Sequence, residues 1–97
     1  MGFVQIVEFK AGDLDAVKKI DDEWVAATEG KRTARRQIIT RDRNDPDHYM
    51  ALVFFDSYES AMENSGLPET QALSERYQAV TTQAAFHDLD VISDQSL

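Results

Sequence analysis

The pattern of hydrophobic and polar positions predicts four strands along the chain. Period-two alternation, or a short continuous apolar run, recurs at about residues 3–9, 34–43, 49–55 and 86–92. The first and third of these segments are largely apolar on both faces, which predicts interior strands of a sheet. The second is rich in arginine, glutamine and threonine, so it is predicted to lie at a sheet edge.

A helix is predicted between the first two strands, because apolar residues recur there at spacings of three and four. The apolar stripe comprises Leu14, Val17, Ile20, Trp24 and Ala27. Asp13 has the residue type and position of an N-cap, since its side chain can accept hydrogen bonds from the first free amides of the helix. Gly30 is predicted to end the helix in the left-handed conformation.

A second helical region follows the third strand and consists of two pieces. Asp56 stands three residues before Glu59, which is the capping-box spacing and predicts Asp56 as the N-cap. The first piece covers residues 57–64, Ser65-Gly66 breaks it, and Pro68 is suited to the first position of the next piece. The buried stripe of that next piece comprises Leu73, Tyr77 and Val80.

These elements follow the order β-α-β-β-α-β, which predicts a ferredoxin-like α+β fold with a four-stranded antiparallel sheet and helices on one face. A length of 97 residues predicts one domain, residues 1–97, with a polar tail at 94–97 whose composition suits disorder. The strands carry apolar side chains on both faces. A second copy of the chain is therefore predicted to cover the face without helices, forming a homodimer.

Composition and charge argue against several classes of function. The chain has no cysteine, so disulfides, thiolate nucleophiles and Cys-ligated zinc are absent. A formal net charge of −8 disfavours binding to nucleic acid and to anionic membranes. No apolar run approaches the roughly 20 residues that span a bilayer, and the first ten residues lack the basic start of a signal peptide. The expected location is the cytoplasm.

The segment YMALVFFDSYESAMENSGLPETQALSERY resembles the dimeric α+β barrel superfamily, which includes antibiotic-biosynthesis monooxygenases, muconolactone isomerases, haem-degrading monooxygenases and stress-responsive barrel proteins. The resemblance covers about residues 3–92, in a pattern of strand, short helix, small-residue break and second helix. It implies a homodimer whose two sheets pair into a barrel. It is specific for the superfamily and does not select one activity within it.

The chain departs from the haem-degrading branch of that superfamily at three places. That branch has a tryptophan at the end of the strand before the helix, an asparagine in the first strand and a haem-ligating histidine on the second helix. This chain has Phe55 and Gln5 at the first two places, and residues 69–83 contain no histidine. Haem ligation of that kind is not predicted, and no cofactor is predicted. The two histidines and the scattered carboxylates show no metal-ligand spacing.

Two aromatic residues are candidates for binding a hydrophobic or aromatic small molecule between the sheet and the helices. Trp24 lies on the apolar stripe of the first helix, where its indole could stack on a flat ligand and donate a hydrogen bond. Tyr77 lies on the stripe of the last helix, where its hydroxyl needs a partner. For each of them the alternative is a structural role in the core.

Four further polar residues are candidates at or near such a site. His87 is the candidate general base, because histidine titrates near neutrality, and its alternative is a contact between the two copies of a dimer. Tyr58 and Asn64 lie near the helix break and are predicted at the pocket mouth. Arg36 belongs to KRTARR (residues 31–36), which is either an anion-binding patch or a set of solvated side chains on an edge strand.

Two functions are consistent with the sequence. The first is a small homodimeric, cofactor-independent enzyme of the monooxygenase or isomerase type that acts on a hydrophobic small molecule. Such oxygen chemistry needs an electron-rich substrate, so the protein supplies deprotonation, desolvation and shape. The alternative is a non-catalytic dimeric protein that binds a ligand or serves in a stress response. Nothing in the residues alone separates the two.

Overall fold

A four-stranded antiparallel sheet carries three helices on one face. The structure is a computed structural model that describes residues 2–97. Its elements in chain order are β1 (Phe3–Lys10), α1 (Leu14–Ala27), β2 (Arg36–Asp42), β3 (Asp45–Phe55), α2 (Tyr58–Ser65), α3 (Pro68–Val80) and β4 (Thr82–Asp90). The predicted ferredoxin-like α+β fold is confirmed, with the second helical region divided into α2 and α3 as the sequence indicates.

The strands lie in the order β2-β3-β1-β4, so β1 and β3 occupy the centre of the sheet and β2 lies at one edge. The registers pair Phe3 with Phe55 and Phe9 with Tyr49 between the central strands. The sequence predictions of interior and edge strands are therefore confirmed. The reason is that a central strand pairs with a neighbour on each side and packs apolar side chains against them, whereas an edge strand exposes one side of its backbone to water.

The strand registers determine which side chains share a face of the sheet. The helix-covered face carries Phe3, Gln5, Val7 and Phe9 of β1 together with their β3 partners Phe55, Val53, Ala51 and Tyr49. The opposite face, called the helix-free face below, carries Val4, Ile6, Ile38, Leu52, Phe54 and Leu89 in adjacent register positions. Successive residues of a strand point to opposite faces, so each strand supplies both sides.

The core lies between the helix-covered face and the helices. One buried cluster comprises Phe9, Ala11, Val17, Tyr49 and Ala51, and a second comprises Phe3, Phe55 and Ala61. The rings of Phe9 and Tyr49 stack with centroids 5.6 Å apart. The clusters take the inward positions of β1 and β3, so hydrophobic burial holds the helices against the central strands.

The predicted cap of α1 is confirmed and that of α2 is wrong. The Asp13 carboxylate accepts a hydrogen bond from the Asp15 backbone N–H at 3.0 Å. At α2 the N-cap is Ser57, whose hydroxyl oxygen accepts from the Ser60 N–H at 3.1 Å. Asp56 instead forms an exposed ion pair with Arg35 at 2.7 Å. The helix begins one residue later than predicted, so the cap falls to the adjacent serine, which is an equally good capping residue.

Several predicted boundaries also move, among them those of β2, which spans Arg36–Asp42 where the sequence predicts residues 34–43. Helix α1 ends at Ala27 with Thr28 as its C-cap, and Gly30 follows with a φ of +79°, which is the predicted left-handed conformation placed beyond the cap. Strand β3 begins at Asp45, and β4 runs from Thr82 to Asp90 where residues 86–92 were predicted. The first residues of β4 are small or polar, so hydrophobic alternation does not reveal them.

The end of the chain continues beyond the sheet without regular structure. Residues 91–97 form neither helix nor strand. The Val91 backbone N–H donates to the Gly2 carbonyl at 3.0 Å, which ties the start of this segment to the beginning of β1. Among residues 2–97, none of the helices has the length and hydropathy needed to cross a membrane.

Candidate functional site

A cavity of about 420 Å³ lies between the helix-covered face of the sheet and the helices. This volume falls in the range of small-molecule binding sites, roughly 300–1,000 Å³. Its apolar walls comprise Val7, Phe9, Trp24, Ala51, Val53, Phe55, Leu73, Ala84 and Phe86. Phe86 is 65% exposed, so it lies at an open side of the cavity on edge strand β4. The arrangement suits a flat, largely hydrophobic ligand.

Trp24 is both a core residue and part of the cavity wall. Its side chain is buried, and its indole N–H donates to the Thr70 hydroxyl at 2.9 Å. This hydrogen bond joins α1 to α3 at the wall of the cavity. The indole N–H is thereby satisfied within the protein, so a ligand would meet the ring of Trp24 rather than its hydrogen-bond donor.

Tyr77 meets a buried carboxylate on the opposite helix. Its hydroxyl donates to Asp21 Oδ1 at 2.7 Å, and both residues line the cavity. Asp21 is only 5% exposed. Burial raises the pKa of Asp21, while the hydrogen bond from Tyr77 opposes that rise. Burial and the neighbouring carboxylate both raise the pKa of Tyr77, so its hydroxyl remains protonated and acts as a donor.

Sequence reasoning missed Asp21, although a signal for it exists. The residue stands four positions after Val17 and three before Trp24, which places it on the apolar stripe of α1. An acidic residue within such a stripe is exceptional, because a buried carboxylate needs a hydrogen-bonding partner. The adjacent Asp22 is exposed. In the sequence, Asp21 and Asp22 together therefore look like part of the charged outer surface of a helix, and the position of Asp21 on the apolar stripe is easily overlooked.

Among residues 2–97, Asp21 is the only acidic or basic residue that lines the cavity, because the lining contains no glutamate, lysine, arginine or histidine. The other polar groups are hydroxyls and side-chain amides, among them those of Gln5, Gln37 and Asn64. Asn64 is buried, and its side-chain oxygen accepts from the Thr33 backbone N–H at 3.2 Å. The structure thus places Asn64 in the lining, and its contact with a ligand stays a prediction.

Three predicted site residues lie outside this cavity. Tyr58 is 50% exposed and packs edge-on against Phe3, with ring centroids 5.6 Å apart. Arg36 and His87 belong to the helix-free face, because they pair in register with Phe54 and Ile6 respectively. Strand alternation is the physical reason, since the cavity-lining residues Gln37 and Phe86 are their immediate neighbours in sequence. The structure therefore brings together Trp24, Tyr77 and Asn64, and it does not bring Tyr58, Arg36 or His87 to them.

His87 is exposed, and its Nε2 atom lies 3.6 Å from Glu8 Oε1 on the helix-free face. Its predicted role as a general base is not tested by this geometry and stays a prediction. A ligand inside the cavity is on the other side of the sheet. His87 would therefore need a ligand bound at the helix-free face to act on it.

The basic residues 31–36 do not converge on one anion site. Lys31 pairs with Glu69 at 3.0 Å, and Arg35 pairs with Asp56. The Arg32 guanidinium donates to the Val25 carbonyl at 2.8 Å, while Arg36 lies over the Phe54 ring, 6.0 Å from its centroid. Each cation therefore has a different partner. Residues 2–97 contain no group of three or more histidine, aspartate or glutamate side chains placed to bind a metal ion.

The burial of Asp21 predicts a measurable effect on stability. The pKa of Asp21 is raised in the folded state, so its protonated carboxyl adds to the free energy of unfolding. This stabilisation is complete below the ordinary aspartate pKa and is lost as the pH rises through the folded-state pKa. Asp21→Asn is therefore expected to raise the free energy of unfolding at pH 7 relative to the wild type, and to have little effect near pH 3. Urea unfolding at the two pH values measures this, with exposed Asp22→Asn as the control. Equal effects of Asp21→Asn at both pH values would contradict the assignment.

Comparisons with known proteins find solved structures that share this fold. No protein-family model matches the chain, and no curated protein matches it in sequence. Its structure is similar to that of SnoaB from Streptomyces nogalater, named a cofactor-independent oxygenase, with a TM-score of 0.80 at 12% identity over 99% of this chain and 96% of that one.

Two further similar structures carry the name putative antibiotic biosynthesis monooxygenase. The one from Deinococcus radiodurans has a TM-score of 0.77 at 11% identity and covers 98% of this chain and 97% of its own. The one from Chloroflexus aurantiacus has a TM-score of 0.75 at 19% identity, and the match covers 99% of this chain and 98% of that one. The predicted resemblance is confirmed at the level of the fold: this chain has the ferredoxin-like α+β fold of antibiotic biosynthesis monooxygenase-like proteins.

Proposed function

We propose that this protein is a cofactor-independent oxygenase that acts on a flat, electron-rich aromatic molecule bound between the sheet and the helices. The observation that carries the proposal is the cavity of about 420 Å³, with apolar walls and the Asp21–Tyr77 pair as its buried polar end. The fold shared with SnoaB supports this class of activity. The alternative, a protein that binds such a ligand without turnover, uses the same cavity.

The proposed reaction needs only the substrate and O₂. A phenol or enol becomes a good electron donor when it loses its proton, and its anion can then reduce O₂. Oxidation of one ring CH₂ group to C=O consumes one O₂ and releases one water, so the carbon loses the four electrons that the two oxygen atoms gain. The protein contributes a proton acceptor, a dry environment and a fixed orientation.

The cavity walls supply the dry environment and the fixed orientation. Phe9 and Val53 of the sheet and Leu73 of α3 exclude water from the ligand. The Trp24 ring offers a flat surface, and its hydrogen bond to Thr70 holds the indole in place. A planar ligand would therefore lie in a defined orientation relative to Asp21 and Tyr77.

Trp24 is the only tryptophan of the chain, so its fluorescence should report binding. Planar aromatic compounds such as hydroxylated naphthalenes are expected to quench or shift this emission in a saturable way. Tyr77→Leu should weaken the response, because Tyr77 lines the cavity, whereas Tyr58→Leu outside the lining should leave it unchanged. Oxygen uptake measured on the compounds that bind then separates an oxygenase from a binding protein. An emission that no planar compound alters would contradict the proposed cavity function.

The proposal includes a second copy of the chain on the helix-free face. Six apolar side chains meet there in adjacent register positions, and those of Leu89 and neighbouring Met50 are exposed in the single chain. A patch of this kind on a small domain favours association, and a two-fold axis lets the same patch serve both copies. His87 lies on this face and would then contact the partner copy, which is the alternative role considered for it from the sequence.

A further inference from the structure

We propose that Asp21 accepts the proton of a hydroxyl group on the bound ligand, so that the cavity selects uncharged hydroxylated aromatics, of the phenol or enol type. This inference rests on the proposed function and names the substrate class and the catalytic group of the same cavity. Neither the fold similarity nor the sequence pattern assigns a role to this carboxylate.

The geometry leaves Asp21 able to receive a further hydrogen bond. An ionised carboxylate offers about four acceptor positions. Tyr77 uses one of them on Oδ1 at 2.7 Å, and the side chain of Gln37 on β2 also hydrogen-bonds to the carboxylate, so positions remain for a ligand. The carboxylate belongs to the cavity lining while its residue is otherwise enclosed by α1, α3 and the sheet. A hydroxyl group that enters the cavity therefore finds an acceptor that the protein has already oriented.

The charge of the cavity determines what kind of ligand it accepts. The titratable groups in the lining are Asp21 on α1 and Tyr77 on α3, while the strands contribute apolar side chains and the amides of Gln5 and Gln37. No cation in the lining balances the carboxylate, so a carboxylate or phosphate ligand would be repelled in this low-dielectric site. A neutral ligand that can give up a proton satisfies Asp21 without introducing a second negative charge.

The transfer balances within the site. The ligand O–H bond breaks, its electron pair stays on the ligand oxygen, and the proton forms an O–H bond with the Asp21 carboxylate. The single negative charge moves from Asp21 to the ligand, where it is available to reduce O₂. Tyr77 keeps its proton throughout, because its own ionisation is disfavoured by burial and by Asp21. Burial of Asp21 also raises its pKa and so strengthens it as a base.

A pair of coumarins that differ only in the hydroxyl group tests this inference. In the wild type, 7-hydroxycoumarin should bind about tenfold more tightly than 7-methoxycoumarin, measured by quenching of Trp24, because only the former donates to Asp21. Its absorption should show the anion at a lower pH when bound than when free. In Asp21→Asn, which keeps the size of the side chain and an oxygen that can accept from Tyr77, both differences should disappear.

Tyr77→Phe provides a second, independent readout. Removing the hydrogen bond that lowers the pKa of Asp21 should raise that pKa and make the carboxylate a stronger proton acceptor, so bound 7-hydroxycoumarin should ionise at a lower pH than in the wild type. A structural role of the Asp21–Tyr77 pair would change stability without moving this midpoint. An unmoved midpoint would therefore contradict proton transfer to Asp21.

The outcomes separate this inference from the proposed function. If both coumarins bind equally well to the wild type and to Asp21→Asn, the aromatic cavity stands and the role of Asp21 is overturned. If 7-aminomethylcoumarin, which carries an ammonium group, binds more tightly than 7-hydroxycoumarin, Asp21 is a counter-ion for cations and the inference is also overturned. If neither the hydroxy nor the methoxy compound quenches Trp24 at any pH, the aromatic cavity itself is refuted.

Discussion

Phe9→Ala is expected to lower the free energy of unfolding by about 3–5 kcal/mol, the usual effect of removing a buried phenylalanine ring. The side chain is 2% exposed and lies in the main core cluster. Its ring stacks on Tyr49 and meets Tyr77 edge-on, with centroids 5.6 Å and 6.4 Å away. Loss of the ring removes both contacts and enlarges the neighbouring cavity. Urea unfolding followed by circular dichroism measures the change.

Phe86→Ala is the matched control, because it removes the same ring from another residue of the cavity lining. Phe86 is on edge strand β4 and is largely exposed, so its truncation should change the free energy of unfolding by no more than about 0.5 kcal/mol. Similar losses for the two variants would show that the core does not centre on β1 and β3. A difference of several kcal/mol would support the observed sheet order.

Leu52→Glu is expected to convert the protein from a dimer to a monomer. The wild type should sediment at micromolar concentration as two chains of 11.0 kDa, because the helix-free face carries six adjoining apolar side chains. Leu52 lies on β3 between Ile6 and Ile38 in that face. A glutamate there would place one charge from each copy within the proposed contact and bury both without partners. Analytical ultracentrifugation distinguishes the two masses.

Val25→Glu serves as the control for the added charge. Val25 is a partly exposed residue of α1, away from the helix-free face, so this variant should remain dimeric. Circular dichroism establishes that both variants keep the fold. A wild-type protein that sediments as a single chain would remove the dimer from the proposal, and a dimeric Leu52→Glu would place the contact on a different surface.

Local features of the sequence determined the elements and their order. Asp13 caps α1 as predicted, and Pro68 begins α3 after the break at Gly66. These features depend on residues within one turn or one strand of each other, so periodicity and residue type are sufficient. Asp56 shows where local reasoning fails, because two adjacent residues could cap α2. In the folded chain Ser57 caps the helix, and Asp56 pairs with Arg35, which is 21 positions away in the sequence.

The functional cavity was predictable only in part. Trp24 and Tyr77 were assigned to the interior from helical spacing, and both line the cavity. His87 and Arg36 could not be placed from the sequence, because a strand presents alternate residues to opposite faces and only its register with β1 or β3 decides which face meets the helices.

The Asp21–Tyr77 pair depended entirely on the tertiary structure. Its members are 56 positions apart in the chain and lie on different helices. Sequence alone determined that each helix has an apolar stripe, since the stripe follows from the 3.6-residue period within one helix. Which residues of two stripes come within hydrogen-bonding distance depends on how α1 and α3 pack together on the sheet, and that packing is set by contacts between distant segments.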